Sequence, residues 1–407
     1  MTSPATTTGP EWSVWSRRVV GGVDVRGDEV PVHGAEARLR YNDVSTCLLS
    51  VPFTPKAWQQ MGRGARVEVR RHRRTILNGP VTDRELVVDK DNPDGAISVT
   101  VESEEGQLAD RVCFPNPALP FLSQTNGATY VQTAPGETVA KDLVRLNAST
   151  GAIAARQIIG LTVEPDQARG LTYLTILRYQ NLLSTLQVLG RDWGPFGFRV
   201  DSTPTGRVFR VFDPPDLSAE VRFSVALHNL GSHTYRDAAP TTTYGMAEGF
   251  LKELRDENNN ITRPRTPVRY DETTSDAASL EWGRRAETWS DVGDQLDIAD
   301  ELHAPVRQAL GAGTTTIALT LDPSADYLTT ADPVTLLGAR VTVQVGPAGY
   351  TDTIEVVDVV REVRLLYDLE DGTDDVVPTV GSDGATATLL VPQLGGIDRR
   401  LSLLERR

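Results

Sequence analysis

The chain has 407 residues, of which 24% are charged and 39% hydrophobic, and its formal net charge is −14. That balance argues against wrapping duplex DNA over a broad basic face, and no run of about 18 apolar residues is present to cross a membrane. Cys47 and Cys113 belong to no CxxC or Cys/His cluster, so a structural zinc is excluded; both read as buried thiols, with a disulfide between them left open.

Residues 1–11 lack the basic and apolar regions of a secretion signal and read as a flexible arm. From Trp12 to about residue 112 the pattern is that of strands. "AEARLRYNDVSTCLLSVPF" alternates through Ala37, Leu39 and Tyr41, then Cys47, Leu49 and Val51. "RVEVRRHRRTILNGPVTDRELVV" predicts two strands around an Asn78-Gly79 turn, and "DNPDG" at 91–95 predicts another turn. A small antiparallel barrel or sandwich fits. Pro115, Pro117, Pro120 and Pro135 mark an irregular stretch.

Helices are predicted next. Val139, Leu143 and Leu146 recur at helical spacing up to Asn147, and Leu182, Leu183, Leu186 and Leu189 form an apolar stripe that Gly194-Pro195 ends. "GRVFRVFDPPD" and "AEVRFSVALHNL" follow as strands, the second with Val221, Phe223, Val225 and Leu227 on its buried side. Asn258–Asn260 predict a turn. "TWSDVGDQLDIADELHAPV" predicts a helix with Ser290 as N-cap. Strands return over 313–368, then an acidic turn "EDGTDD", and 391–407 predict a short amphipathic helix.

The chemistry-bearing residues form no catalytic pattern. His33, His72, His228, His233 and His303 make no HExxH or HxH, and His228 and His233 do not share a strand face. "DKDNPDG" fails as a calcium loop, because Pro93 and Asp94 occupy the positions of a ligand and of the essential glycine. Asp291, Asp294, Asp297 and Asp300 read as a solvent-facing stripe on the predicted helix. Arg66, Arg70, Arg71, Arg73 and Arg74 read as a strand end that meets acidic surface on a neighbouring subunit. No P-loop or GxSxG occurs, so no catalytic, cofactor-binding or metal-binding residue is predicted.

The ordered set "LRYNDVSTCLLSVP", "ILNGPVTDRELVV", "ADRVCFPNPALP", "GETVAKDLVRLNAST", "RYQNLLSTLQVLGRDWGPFGFRV" and "FDPPDLSAEVRFSVALHNLGSHTY" resembles a minor tail protein family of siphophages that infect actinobacteria. It is similar to the tail hub proteins of long-tailed phages and baseplates. The strand "LLGARVTVQVG" departs from that family's usual Gly-Asp-x-Val, with Ala339 in place of the aspartate. The resemblance covers about residues 15–400.

What the resemblance implies is a mainly β protein with α+β insertions: two tail-tube-like β-barrel domains plus smaller α/β domains. The corresponding division is an arm at 1–11, a first barrel at 12–115, an inserted α/β domain at 116–200, second-barrel strands with a linking helix at 201–312, a barrel-like part at 313–390 and a tail at 391–407. It also implies a homotrimeric hub, non-enzymatic and without cofactor, that joins a sixfold tail ring to a threefold tip. Such a hub lines or plugs the DNA channel, with DNA passing transiently. The implied partners are a distal tail ring protein, a tape measure protein and downstream tail-tip or receptor-binding proteins. The implied location is the virion tail tip, after synthesis in the host cytoplasm. The competing reading is a carbohydrate-binding host-adhesion protein, for which Trp282 and Trp289 would supply aromatic platforms.

Overall fold

The computed structural model describes residues 12–381 apart from short stretches, the longer of which are 89–94, 237–241, 274–282, 311–317, 323–331 and 346–353. The chain divides into two compact units. The first runs to Thr234 and resumes over Leu319–Gly381, and the second holds Tyr235–Ala318.

The first unit begins with β1 (Trp12–Val20), β2 (Val23–Val30), β3 (Gly34–Arg40), β4 (Thr46–Pro52), helix α1 (Pro55–Gln60), β5 (Arg66–Arg71), β6 (Arg74–Val87) and β7 (Ala96–Glu102). The predicted alternation holds in β3 and β4, and β7 shows the same pattern. Ala37, Leu39, Cys47, Leu49, Val51, Ile97, Val99 and Val101 all point into one core, and their neighbours face outward. β6 is long enough to serve two partners. Its first half pairs with β5 and its second with β7, with a register shift between Val81 and Asp83.

The predicted Asn78-Gly79 turn is corrected. Both residues lie mid-strand in β6, opposite Glu68 and Val67. The hairpin instead turns at His72 and Arg73, whose φ values are 49° and 64°. A two-residue turn with both central residues at positive φ matches the twist of the flanking strands. In "DNPDG", residues 91–94 lie outside the described residues.

Helix α2 (Gly106–Ala109) leads from β7 into an α/β lobe. The lobe contains β8 (Tyr130–Pro135), α3 (Gly136–Asn147), β9 (Leu161–Val163), β10 (Thr172–Leu177), α4 (Leu182–Asp192), β11 (Gly197–Thr203) and β12 (Gly206–Phe212). Both long helices form where the spacing predicts them. Leu182, Leu183, Leu186 and Leu189 pack against Val139, Leu143, Phe196 and Phe209 in one core. Leu146 is only half-buried, and Val144 takes the inner position instead.

β13 (Arg222–Ser224) and β14 (Ser232–Arg236) close this part of the chain. The predicted strand through Leu227 stops at Ser224. Phe223 is fully buried, whereas Leu227 is 57% exposed. β12 and β13 do not pair with each other: β12 joins β11 and β9, and β13 lies parallel to a late strand.

In the second unit, β15 (Tyr244–Leu251) is the centre of a small sheet. A hairpin of β16 (Leu254–Arg255) and β17 (Ile261–Arg263) turns at the predicted asparagines, where Asp256 accepts from the Asn258 and Asn260 amides. β18 (Thr266–Thr273) and β19 (Glu287–Asp291) flank β15, antiparallel and parallel respectively. The predicted helix from Thr288 is therefore corrected. Its first residues form a strand because β15 offers them a ladder, a 3-10 turn forms at Ala299–Leu302, and His303 and Val306 after it are helical. Ser290 lies inside β19, and Asp291 and Asp300 share no helix. Asp291 is in the strand, Asp300 is in the 3-10 turn, and Asp294 and Asp297 lie outside the described residues. Ala247, Leu296, Leu302, Val306 and Leu310 form this unit's core.

The chain then adds β20 (Ala318–Asp322), α5 (Pro333–Leu336), β21 (Arg340–Val345), β22 (Ile354–Asp368) and β23 (Thr373–Gly381). β22 pairs with β21, β3 and β23. The large sheet thus runs β14-β20-β23-β22-β3-β4-β7-β6-β5-β1-β2, with β13 and β21 off this path. Its two ends do not pair, so no closed barrel is formed among the described residues. The molecule is mainly β with several sheets. The acidic turn "EDGTDD" is corrected in part, because Asp374 and Asp375 belong to β23. The predicted C-terminal helix at 391–407 lies outside the described residues.

Candidate functional site

The densest polar constellation lies in the first unit, where the large sheet meets the α/β lobe. Adjacent strands β1 and β5 place Arg17 beside Glu68, and β2 brings Arg26. Glu68 is buried and receives Arg17 at 2.8 Å, Arg26 at 2.5 Å and the Thr75 hydroxyl at 2.8 Å. Burial alone would raise its pKa, but the hydrogen bonds from Arg26, Thr75 and Arg17 hold it below the ordinary glutamate value.

Just past β7, Glu104 and Glu105 enter the same seam. Glu104 pairs with Arg66 of β5 and, at 3.1 Å, with Arg207 of β12. Glu105 accepts from the Val200 amide of β11 at 2.7 Å, and burial raises its pKa. A cavity of about 300 Å³ opens here, lined by Asn78, Glu105, Phe198 and Ser202 among others.

A second buried pair joins the sheet's distant segments. Arg71 of β5 reaches Asp374 of β23 at 2.6 Å, and the Trp12 indole donates to the same carboxylate at 2.9 Å. In the lobe, Glu137 in the first turn of α3 is fully buried. It accepts from Lys141, from the Gln167 and Arg169 amides, and from the Arg169 guanidinium.

These contacts correct the expected role of Arg66 and Arg71 in the arginine cluster, while Arg73 and Arg74 stay exposed. Arg66 and Arg71 are buried against carboxylates of their own chain; Arg70 lies 3.7 Å from Glu68, and Arg74 pairs with Asp332. Arg66 and Arg71 are used inside the subunit because Glu104, just past β7, and Asp374 of β23 arrive beside them, a juxtaposition that sequence spacing does not carry.

The histidines are not brought together. His33 is exposed, His72 sits in the β5–β6 turn, and His303 stacks on Tyr270 with ring centroids 3.8 Å apart. His233 lies in β14, and His228 lies outside the described residues. No group of three potential metal ligands occurs among the described residues. Cys47 and Cys113 are both free and buried, and burial pushes their thiols up to about 12 and about 11. Trp289 stands 59% exposed on β19, while Trp282 lies outside the described residues. No described helix is long and apolar enough to cross a membrane. The seam is chemically a set of clamps: its carboxylates are occupied by arginines, hydroxyls and backbone amides.

The comparisons with known proteins bear on this arrangement. The prophage tail protein gp18 from Listeria monocytogenes is 12% identical with a TM-score of 0.50, over 95% of this chain and 99% of that one. The tail protein from Neisseria meningitidis is 13% identical with a TM-score of 0.49, over 92% and 97%. The 43 kDa tail protein of prophage MuSo2 from Shewanella oneidensis is also 13% identical with a TM-score of 0.49, over 90% and 98%. At such identities the likeness speaks of fold alone. No curated protein sequence matches. The profile described as Siphovirus ReqiPepy6 Gp37-like protein matches residues 24–382. The chain therefore belongs to this siphovirus tail protein family.

Proposed function

We propose that this phage tail protein is a non-enzymatic trimeric hub, joining a sixfold tail ring to a threefold tip and lining or plugging the DNA channel. The family match over residues 24–382 carries the reading. Two tail-tube-like barrels per subunit, completed between neighbours, would present six barrels around the axis, with the division 12–115, 116–200, 201–312 and 313–390 as their building blocks. The paired charges on the open face of the large sheet support a wall past which DNA slides. Arg38 and Arg364 share Glu36, and Arg40 holds Glu362. Arginines already held by carboxylates offer phosphate little. The partners are a distal ring protein, a tape measure protein and tip proteins, and the place is the virion.

The test is light scattering on the purified chain with negative-stain images of the same sample. A mass of three chains and a threefold ring are expected. A single-chain mass with no ring overturns the trimer. A second reading, a carbohydrate-binding adhesin, is favoured by one observation: Trp289 lies exposed between Glu287 and Asp291 on β19, next to Met246 of β15. Glycan-array binding lost in Trp289→Ala would establish it.

A further inference from the structure

Asn78 and Ser202 enter the seam cavity with polar atoms that bond to nothing described. Asn78 of β6 is only 8% exposed and lines the cavity. Neither its Oδ1 nor its Nδ2 meets a partner among the described residues, and the same is true of the Ser202 hydroxyl on β11. Native proteins rarely bury a carboxamide with both ends unpaired. β6 belongs to the large sheet and β11 to the lobe's sheet, so the two groups enter from different walls.

The charged side chains around them are already used. Asp201 holds Arg199 at 3.0 Å and Arg210 at 3.1 Å, and Glu362 holds Arg40 at 3.0 Å. Glu105 takes the Val200 amide, and burial favours its neutral form. A phosphate or carboxylate would therefore find every arginine of the lining held by an acid. Leu39, Ile76, Leu77, Phe198, Phe212 and Val334 make the apolar walls. At about 300 Å³ the cavity has the size of the smallest pockets that hold organic ligands.

The cavity thus offers one donor–acceptor edge and one hydroxyl in an apolar setting. A sugar carries a hydroxyl on nearly every ring carbon, and most of them would stay unpaired here. A residue in extended backbone is a better complement. Its own N–H and C=O point to the same side, as in the hydrogen-bonded pairs of an antiparallel ladder, and a carboxamide answers both.

We propose that the seam cavity receives one apolar residue of an extended protein segment. Its N–H and C=O pair with the Asn78 carboxamide, its side chain packs against Phe198 and Ile76, and the Ser202 hydroxyl donates to an adjoining carbonyl. That the segment belongs to a neighbouring tail protein rests on the hub reading above, whereas the pairing with Asn78 does not depend on the number of chains.

The test is saturation-transfer NMR on the full chain with N-acetyl-leucine-N-methylamide, a single capped residue, beside N-acetylglucosamine. Transfer to the capped leucine is expected, and Asn78→Leu weakens its binding about tenfold or more. Because Asn78→Leu removes an unpaired buried amide, its melting temperature is expected not to fall. Ser202→Ala, at a half-buried position, also weakens binding and serves should Asn78→Leu fail to fold. Transfer to N-acetylglucosamine alone overturns the proposal by making the cavity a sugar site. Transfer to neither compound overturns it and leaves a cavity that holds water only. Binding of the capped leucine that survives both substitutions lies elsewhere and overturns it as well. A single-chain mass in light scattering would remove the trimer and leave these results standing.

Discussion

A methyl group on Gly79 would sit 1.7 Å from the Glu102 carbonyl oxygen. This glycine is there for close approach of two backbones, not for a turn. Gly79→Ala must push β6 away from the end of β7, at a cost of about 3 kcal/mol or more. A denaturant midpoint equal to that of the unaltered chain would contradict this. Glu105 offers a pH test. Its folded pKa is raised above the usual 4.5, by burial first. Above 4.5 the native state keeps a proton that the unfolded chain releases, so this contribution to stability is full below 4.5 and is lost as pH rises through the folded pKa. Glu105→Gln, neutral at every pH, can still accept from the Val200 amide. Its melting temperature relative to the unaltered chain is expected to rise as pH goes from below 4.5 to neutral. A constant difference would refute the assignment.

Among the elements, the two lobe helices and the alternating strands were readable because their burial repeats along the chain. Leu182, Leu186, Cys47 and Leu49 lie on the faces their spacing predicts. The Thr288 segment was not readable, because β15 imposed a parallel ladder on residues whose capping pattern favours a helix. The stretch from Phe212 to Arg236 illustrates both cases. Phe223 is core wall in β13, while Leu227 four residues later is in solvent. Phe223→Asp is expected to lose soluble folded protein, since it buries an unpaired charge at several kcal/mol. Leu227→Asp is expected to keep the original melting temperature. Equal behaviour of the two variants would mean that the strand continues.

At the scale of the molecule, two units with separate cores predict heat unfolding in two steps. The unit built on Ala247, Leu296, Leu302, Val306 and Leu310 has the smaller core and is expected to melt first. Calorimetry of the full chain checks this, and a single transition with equal calorimetric and van't Hoff enthalpies would refute it. The candidate site was half legible. The arginines of β5 stood out in the sequence, but the acids after β7 and the pairing between them did not. Arg71 meets Asp374 across 303 positions, and Arg66 meets Glu104 only because β5, β6 and β7 are neighbours.

The sequence by itself determined the mainly β character, the two lobe helices, the buried thiols and the ordered segments by which the tail family is recognised. Each of these depends on local periodicity or on residue type, which survive in a linear reading. Only the tertiary structure decided where the first hairpin turns, that the segment at Glu287–Asp291 is a strand, and that Arg66 and Arg71 of the arginine cluster face inward. Those outcomes depend on which distant strand or carboxylate arrives alongside, and a buried charge goes where its partner is.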